Sequence, residues 1–545
     1  MRPRALLLYL LVPLITQIVF AQPATHPFSI HDMLAMDRIS EPQVSPDGKW
    51  VAFTLRKTDL DANRGRTDLW LVGVDGNNLR QLTTHPSGDY SPLWSKEGRS
   101  IWFLSTRSGS AQVWRMPVDG GEAEQKTSLP LDVGGFTLSP DNKLLAVSME
   151  VFPDCESIDC TTNKLDAASQ RKTSGQLYDK LFVRHWDTWK DGRRSHVFVL
   201  PANGGEAVDL MKGMEADSPS KPFGGMEEIT FTPDSKSLIF TARVAGREEA
   251  WSTNFDLYLV PVDGSAQPQC LTSNNKAWDT QPVFSPDGKT LAYLAMSRAG
   301  YEADRFRIVL RNWADGKERV LTENWDRSPN FVVWSADGKT IYAAAGNIGQ
   351  TSLFSIDAAS GKVSMVVKDG QVRSVGLAGA RLVYGLDHLR SPVELYSALS
   401  NGSDVRAVTR INAEKVAAAR IGEPEQFSFK GWNDETVYCY VVKPVDFDAS
   451  KKYPVAFLIH GGPQGSFGND FHYRWNPQAY AGAGYAAVMV DFHGSTGYGQ
   501  AFTDAIRGDW GGKPLVDLQK GLEAALARYP WMDGERVGAL GASYG

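Results

Sequence analysis

The stretch Arg536-Val537-Gly538-Ala539-Leu540-Gly541-Ala542-Ser543-Tyr544-Gly545 decides the fold. Its first five residues read as a short buried parallel strand, and G-x-S-x-G follows without a gap. Small residues on either side of a serine allow a sharp, strained turn that lifts the hydroxyl above the sheet edge. Matches of this length also arise as ordinary Gly/Ser turns in a chain with 51 glycines among 545 residues, so the context has to decide.

Working backwards, Tyr485-Ala486-Ala487-Val488-Met489-Val490-Asp491 is an apolar run followed by Gly494-Ser495-Thr496-Gly497-Tyr498-Gly499. Before it, Tyr453-Pro454-Val455-Ala456-Phe457-Leu458-Ile459 ends in His460-Gly461-Gly462-Pro463, the position of an oxyanion loop after a third strand. Strand, Gly-rich loop, helix, strand and nucleophile elbow make the first half of a doubly wound α/β-hydrolase sheet. In that fold the acid and the histidine of a triad come after the serine. The sequence is therefore expected to be a C-terminally truncated hydrolase lacking both. His460, His472 and His493 precede Ser543, and none is expected to be its general base.

At 545 residues the chain exceeds one ordinary core, so more than one domain is expected. A hydrophobic content of 42% with 16 tryptophans describes a globular, strand-rich protein. A net charge of −6 with interspersed signs and no basic run argues against nucleic-acid binding. Met1-Arg2-Pro3-Arg4, an apolar stretch and Val19-Phe20-Ala21 describe a secretory signal over residues 1–21, with an uncleaved anchor as the rival. After cleavage no stable membrane association is expected. Cys155 and Cys160 bracket Glu156-Ser157-Ile158-Asp159 in a polar insert; in an oxidising compartment this is most simply a disulfide, the rival being half of a zinc site. Cys270 and Cys439 are expected to be buried thiols.

Upstream of the hydrolase segment the chain repeats. Ser45-Pro46-Asp47-Gly48 has variants at Ser95, Ser139, Thr232, Ser285 and Ser335, each a turn followed by an apolar or alternating run. A second signal interleaves with it, a strand ending in Gly76, Gly120, Gly204, Gly264, Gly316, Gly361 and Gly402. Most spacings fall in the forties and fifties, the period of a four-stranded propeller blade. The expected organisation is a signal peptide over 1–21, an N-terminal segment over 22–37, a seven-bladed β-propeller over 38–410 and an incomplete α/β-hydrolase domain over 411–545. The blade containing Val197 carries an insertion that includes the two cysteines.

Together these features resemble the prolyl oligopeptidase family of serine peptidases, across nearly the whole chain after the signal. The most specific part runs from Gly494–Gly499 through Trp510-Gly511-Gly512 and Asp517 to Gly541–Gly545. His460-Gly461-Gly462-Pro463 and Phe182-Val183-Arg184-His185-Trp186-Asp187-Thr188-Trp189 look like the dipeptidyl-peptidase V and acylaminoacyl-peptidase branches. The resemblance implies Ser543 as nucleophile, with backbone N–H groups of Tyr544 and Gly462 as oxyanion donors. Where other branches have an oxyanion tyrosine this sequence has His460, which is expected to order the loop.

The resemblance also implies oligopeptide substrates, and the signal over 1–21 a secreted or periplasmic location. Glu248 and Glu249 are expected in a hairpin, either binding a substrate α-amino group or forming a solvated charged tip. Tyr544 is expected to wall the pocket for the residue before the cut. A carboxylesterase on the same scaffold and an inert propeller binding module are the alternatives. Neither a metal motif nor a nucleotide loop occurs, so no cofactor is expected.

Overall fold

The structure is a computed structural model describing residues 25–181 and 183–545. The expected signal peptide, and Phe182 of the stretch quoted above, lie outside the described residues.

Seven four-stranded antiparallel units follow one another over residues 38–81, 89–125, 135–209, 229–270, 279–320, 333–367 and 371–407. They are blades 1 to 7 of a propeller, each cut from one continuous stretch of chain, and blades 6 and 7 are joined by a parallel pairing of Thr351 with Gln371. The Ser/Thr-x-Asp turns join the first strand of a blade to the second. In blade 1, Ser45 Oγ donates to Asp47 at 2.6 Å and accepts from Trp50 N at 3.0 Å, while Gly48 takes φ +70°. Ser285 and Asp287 repeat this in blade 5 at 2.7 and 3.0 Å. Blade 7 turns instead through Ala378 and Gly379, so the first signal has one copy fewer than the second.

The second strands, such as Ser237–Ala242 and Thr290–Ala295, are buried nearly end to end because each face meets a neighbouring blade. No strand pairs across the junction of blades 1 and 7. The ring closes there by packing of Ile39, Val51 and Phe53 against Ala378, Val383 and Leu395. Beside it, Asp37 N donates to Asn412 Oδ1 at 2.8 Å and Asn412 Nδ2 to the Asp37 carbonyl at 2.9 Å.

Because strands alternate in direction, the loops joining second to third strands all emerge on the face opposite the Ser/Thr-x-Asp turns. In blade 5 that loop meets the hydrolase, where Arg298 forms two 2.7 Å hydrogen bonds with Asp504. In blade 3 the same loop is the insertion, residues 152–193. Ser157 caps its helix, Ile158–Ser169, and a Cys155–Cys160 disulfide fastens the first turn.

The hydrolase sheet contains β1 (Pro424–Lys430), β2 (Thr436–Val442), β3 (Tyr453–Ile459), β4 (Ala486–Asp491) and β5 (Met532–Gly541), in spatial order β1-β2-β4-β3-β5. β3 runs parallel to β4 and β5, whereas β1 and β2 are antiparallel. Helix α1 (Gly512–Arg528) covers one face, burying Ala525 with Val437, Val455, Phe457, Val488 and Val490.

Two expectations need correction. Arg536–Leu540 does lie in a parallel strand, but most of it is exposed, with Leu540 at 39%. β5 pairs with β3 along one edge, and among the described residues little covers its faces. Cys270 is only half-buried, on a blade's outer strand, while Cys439 is buried as expected.

Candidate active site

β5 delivers the chain into a turn closed by Gly545 N donating to the Ala542 carbonyl at 3.1 Å. Ser543 sits at its apex with φ +61°, the left-handed region that a non-glycine residue enters only when its surroundings force it. Both flanking glycines are required sterically. A methyl on Gly541 would lie 2.2 Å from the Gly545 carbonyl carbon, and one on Gly545 would lie 2.2 Å from the Ile459 carbonyl oxygen. The loop after β3 abuts this elbow: a methyl on Gly461 would sit 3.4 Å from Ser543 Cβ and 3.9 Å from Tyr544 N. The serine turn and the loop after β3 are thus in van der Waals contact.

Tyr544 packs its ring 5.7 Å from Phe492 and 5.6 Å from Trp510, whose carbonyl accepts its hydroxyl hydrogen. Gly462 takes φ +132° between the elbow-facing Gly461 and Pro463.

The three upstream histidines have other partners. His460 is buried, with Nδ1 2.8 Å from the Gly461 carbonyl and Nε2 2.8 Å from Ser495 Oγ. His472 Nδ1 accepts from Arg474 N and Trp475 N at 2.9 and 3.0 Å. His493 is fully buried between two carboxylates, with Nδ1 2.5 Å from Asp517 and Nε2 3.1 Å from Glu435. Burial works against its charge, but the hydrogen bonds and charges of Asp517 and Glu435 win and raise its pKa.

Glu248 and Glu249 lie in the second-to-third-strand loop of blade 4, on the hydrolase-facing side. The segment lies, as expected, in the loop of an antiparallel strand pair, where Gly246–Glu248 forms a 3-10 turn and the two carboxylates diverge. Glu249 is buried, accepting 2.6 Å hydrogen bonds from both terminal nitrogens of Arg194 and one of 3.1 Å from Lys190. Burial alone would raise its carboxyl pKa, but Arg194, with Lys190, brings it below the ordinary value. It is therefore no solvated tip. Glu248 is exposed and lines a cleft of about 380 Å³ with Trp251, Ser252, Thr253, Lys276 and Gly300.

Sequence inspection missed Arg194 as the partner of Glu249 and Ser495 as the partner of His460. An arginine opening the strand Arg194–Pro201, at the mouth of the insertion, was the available signal for the first.

Comparison with known proteins agrees with this architecture. Residues 471–545 match the model of the prolyl oligopeptidase family, and residues 35–178 that of the TolB β-propeller domain. Dipeptidyl-peptidase 5 of Porphyromonas gingivalis is 30% identical over 522 residues, covering 94% of this chain and 74% of the relative. A probable dipeptidyl-peptidase 5 of Arthroderma benhamiae is 32% identical over 565 residues, covering 98% and 76%. Among solved structures, an acylaminoacyl peptidase in complex with Z-Gly-Gly-Phe-chloromethyl ketone superposes with a TM-score of 0.77 at 19% identity, covering 95% of this chain and 75% of that one. A Pyrococcus horikoshii acylaminoacyl peptidase superposes with a TM-score of 0.76 at 20% identity, again covering 95% and 75%.

A propeller joined to a hydrolase sheet with a serine elbow defines a serine-type peptidase. The chain belongs to the prolyl oligopeptidase family.

Proposed function

We propose that this chain is the propeller and the nucleophile-bearing part of a secreted or periplasmic peptidase that releases dipeptides from the free N-termini of oligopeptides. The functional units are the propeller, 38–410, and the catalytic domain, 411–545. The observation carrying the proposal is Ser543 at φ +61° against the Gly461 backbone. A serine hydroxyl is a weak nucleophile at neutral pH and needs a hydrogen-bonded histidine to take its proton. With that base, Ser543 Oγ attacks the scissile carbonyl. The oxyanion receives the N–H groups of Tyr544 and Gly462, a donor of this kind being worth about 3 kcal/mol. Collapse expels the amine and leaves an acyl-enzyme that water hydrolyses.

The dipeptidyl assignment draws on the two dipeptidyl-peptidase 5 relatives and on the exposed carboxylate of Glu248. Such a carboxylate on the hydrolase-facing rim suits a substrate α-amino group. The propeller over the site favours peptides over folded proteins. The disulfide in the insertion supports an oxidising compartment, and no helix of the described residues is long and apolar enough to cross a membrane.

The test is turnover, by the enzyme carrying its base and acid, of a dipeptidyl anilide against its N-acylated form and against a short-chain acyl ester. Preference for the free-amine dipeptide is expected. Faster turnover of the ester with indifference to the amine would replace this reading with a carboxylesterase.

A further inference from the structure

The motif Gly494–Gly499 has as yet no part in the chemistry, although its side chains and backbone grip the loop after β3 along its length. Ser495 Oγ meets His460 Nε2 at 2.8 Å, and Thr496 N donates to the Gly465 carbonyl at 3.0 Å. Tyr498 donates its hydroxyl to Asp491 at 2.6 Å. The same Asp491 accepts from Ser466 Oγ at 2.5 Å and Phe467 N at 3.2 Å. The loop from His460 to Phe467 is thus tied at its first residue, its middle and its end.

The first tie bears directly on the oxyanion. The Gly461 carbonyl can only accept, so His460 Nδ1 carries the hydrogen at their 2.8 Å contact. Nε2 shares its hydrogen bond with Ser495 Oγ at 2.8 Å, with Asp491 Oδ1 3.8 Å from the same nitrogen. The ring plane is fixed by Phe492, stacked 4.2 Å away at an interplanar angle of 10°. The Gly461 carbonyl and the Gly462 N–H belong to one rigid trans peptide unit and point in opposite directions. Holding one end therefore aims the other.

We propose that His460 is a positioning residue for the oxyanion site: its Nδ1–H holds the Gly461 carbonyl so that the Gly462 N–H faces the oxyanion, and Ser495 fixes the ring that does so. This rests on Gly462 being an oxyanion donor, as read above. The bland competitor is a core histidine whose nitrogens are satisfied but which serves packing alone.

The two differ in a set of variants of the active enzyme. His460→Phe keeps the stack but loses both nitrogens. His460→Asn keeps a donor near Nδ1, and His460→Gln keeps one near Nε2 only. Kinetics on a dipeptidyl anilide and inhibition by the matching peptide aldehyde, which forms an oxyanion-bearing adduct with the serine, are the readouts. His460→Phe is expected to lower kcat roughly 10- to 100-fold at nearly constant KM, less than the 10²–10³ typical of deleting a donor outright. Aldehyde affinity should fall in parallel. His460→Asn should recover most of both, and His460→Gln and Ser495→Ala much less.

If His460→Phe retains kcat, or if Asn and Gln are indistinguishable, the positioning role is overturned. Should His460→Phe fail to fold, the Asn–Gln comparison still decides. If even the unaltered enzyme binds the aldehyde no better than the corresponding alcohol, the oxyanion reading itself fails, a separate outcome.

Discussion

Arg194 grips Glu249 through two parallel 2.6 Å hydrogen bonds, one from each terminal guanidinium nitrogen, across 55 residues of sequence. Arg194 also donates to Asp217 at 2.8 Å, and Lys190 adds its charge to Glu249. The two adjacent glutamates therefore have different tasks. Glu249 organises a buried charge cluster at the base of the insertion, and Glu248 is left to meet solvent or substrate.

Glu249→Gln should destabilise the propeller by about 3–5 kcal/mol, the usual consequence of stripping one partner from a buried ion pair. It should show as a lowered thermal midpoint. Glu248→Gln should leave that midpoint in place and raise KM for free-amine dipeptidyl substrates, with N-acylated ones unaffected. Equal behaviour of the two variants in both assays would remove Glu248 from substrate recognition.

Ser543→Ala should abolish fluorophosphonate labelling of the active enzyme with no change in its circular dichroism, since only Oγ is lost. Gly541→Ala should also lose labelling although the serine remains. Its methyl would lie 2.2 Å from the Gly545 carbonyl carbon, and the elbow cannot close around it. Undiminished labelling of Gly541→Ala would mean that the turn tolerates a different shape.

His493 has a raised pKa in the folded protein, through Asp517 and Glu435. Its contribution to stability is present in full below the ordinary histidine value of about 6.5. It is lost as pH rises through the raised value, because the folded state then surrenders a proton it had held more tightly than the unfolded chain. Replacing His493 with glutamine should flatten that part of the curve of thermal midpoint against pH. An unchanged slope would assign the pH dependence to other groups.

Arg298 and Asp504 join the propeller to the hydrolase. Both side chains are about one-third exposed, so solvent screening holds their coupling to on the order of 1 kcal/mol. A double-mutant cycle on Arg298→Ala and Asp504→Ala should return that value and see it shrink in high salt. Strict additivity of the two single changes would show the pair to be energetically silent.

The blades were legible in the sequence because a serine or threonine two residues before an aspartate writes a local turn, and local chemistry repeats visibly at Ser45, Ser139, Thr232, Ser285 and Ser335. The elbow was legible for the same reason. Glu249 was not, since its partner Arg194 is adjacent only after blades 3 and 4 have packed. The loop around Gly246 does join two antiparallel strands, but its 3-10 turn, which sends Glu248 and Glu249 different ways, leaves no mark in the sequence. The run Arg536–Leu540 promised burial, but burial belongs to what packs on a strand and not to the strand itself. The pairing of His460 with Ser495 spans 35 residues and joins two loops that only the sheet brings side by side.

The propeller ring has one seam that the chain does not cross, where blade 1 meets blade 7 through apolar packing and the Asp37–Asn412 clasp. Parting two apolar faces orphans no ladder amide, so breathing there costs less than unzipping a shared strand. Mechanically the ring is a split washer. Its natural slit lies beside the N-terminal segment, at the junction that no linker between consecutive blades bridges.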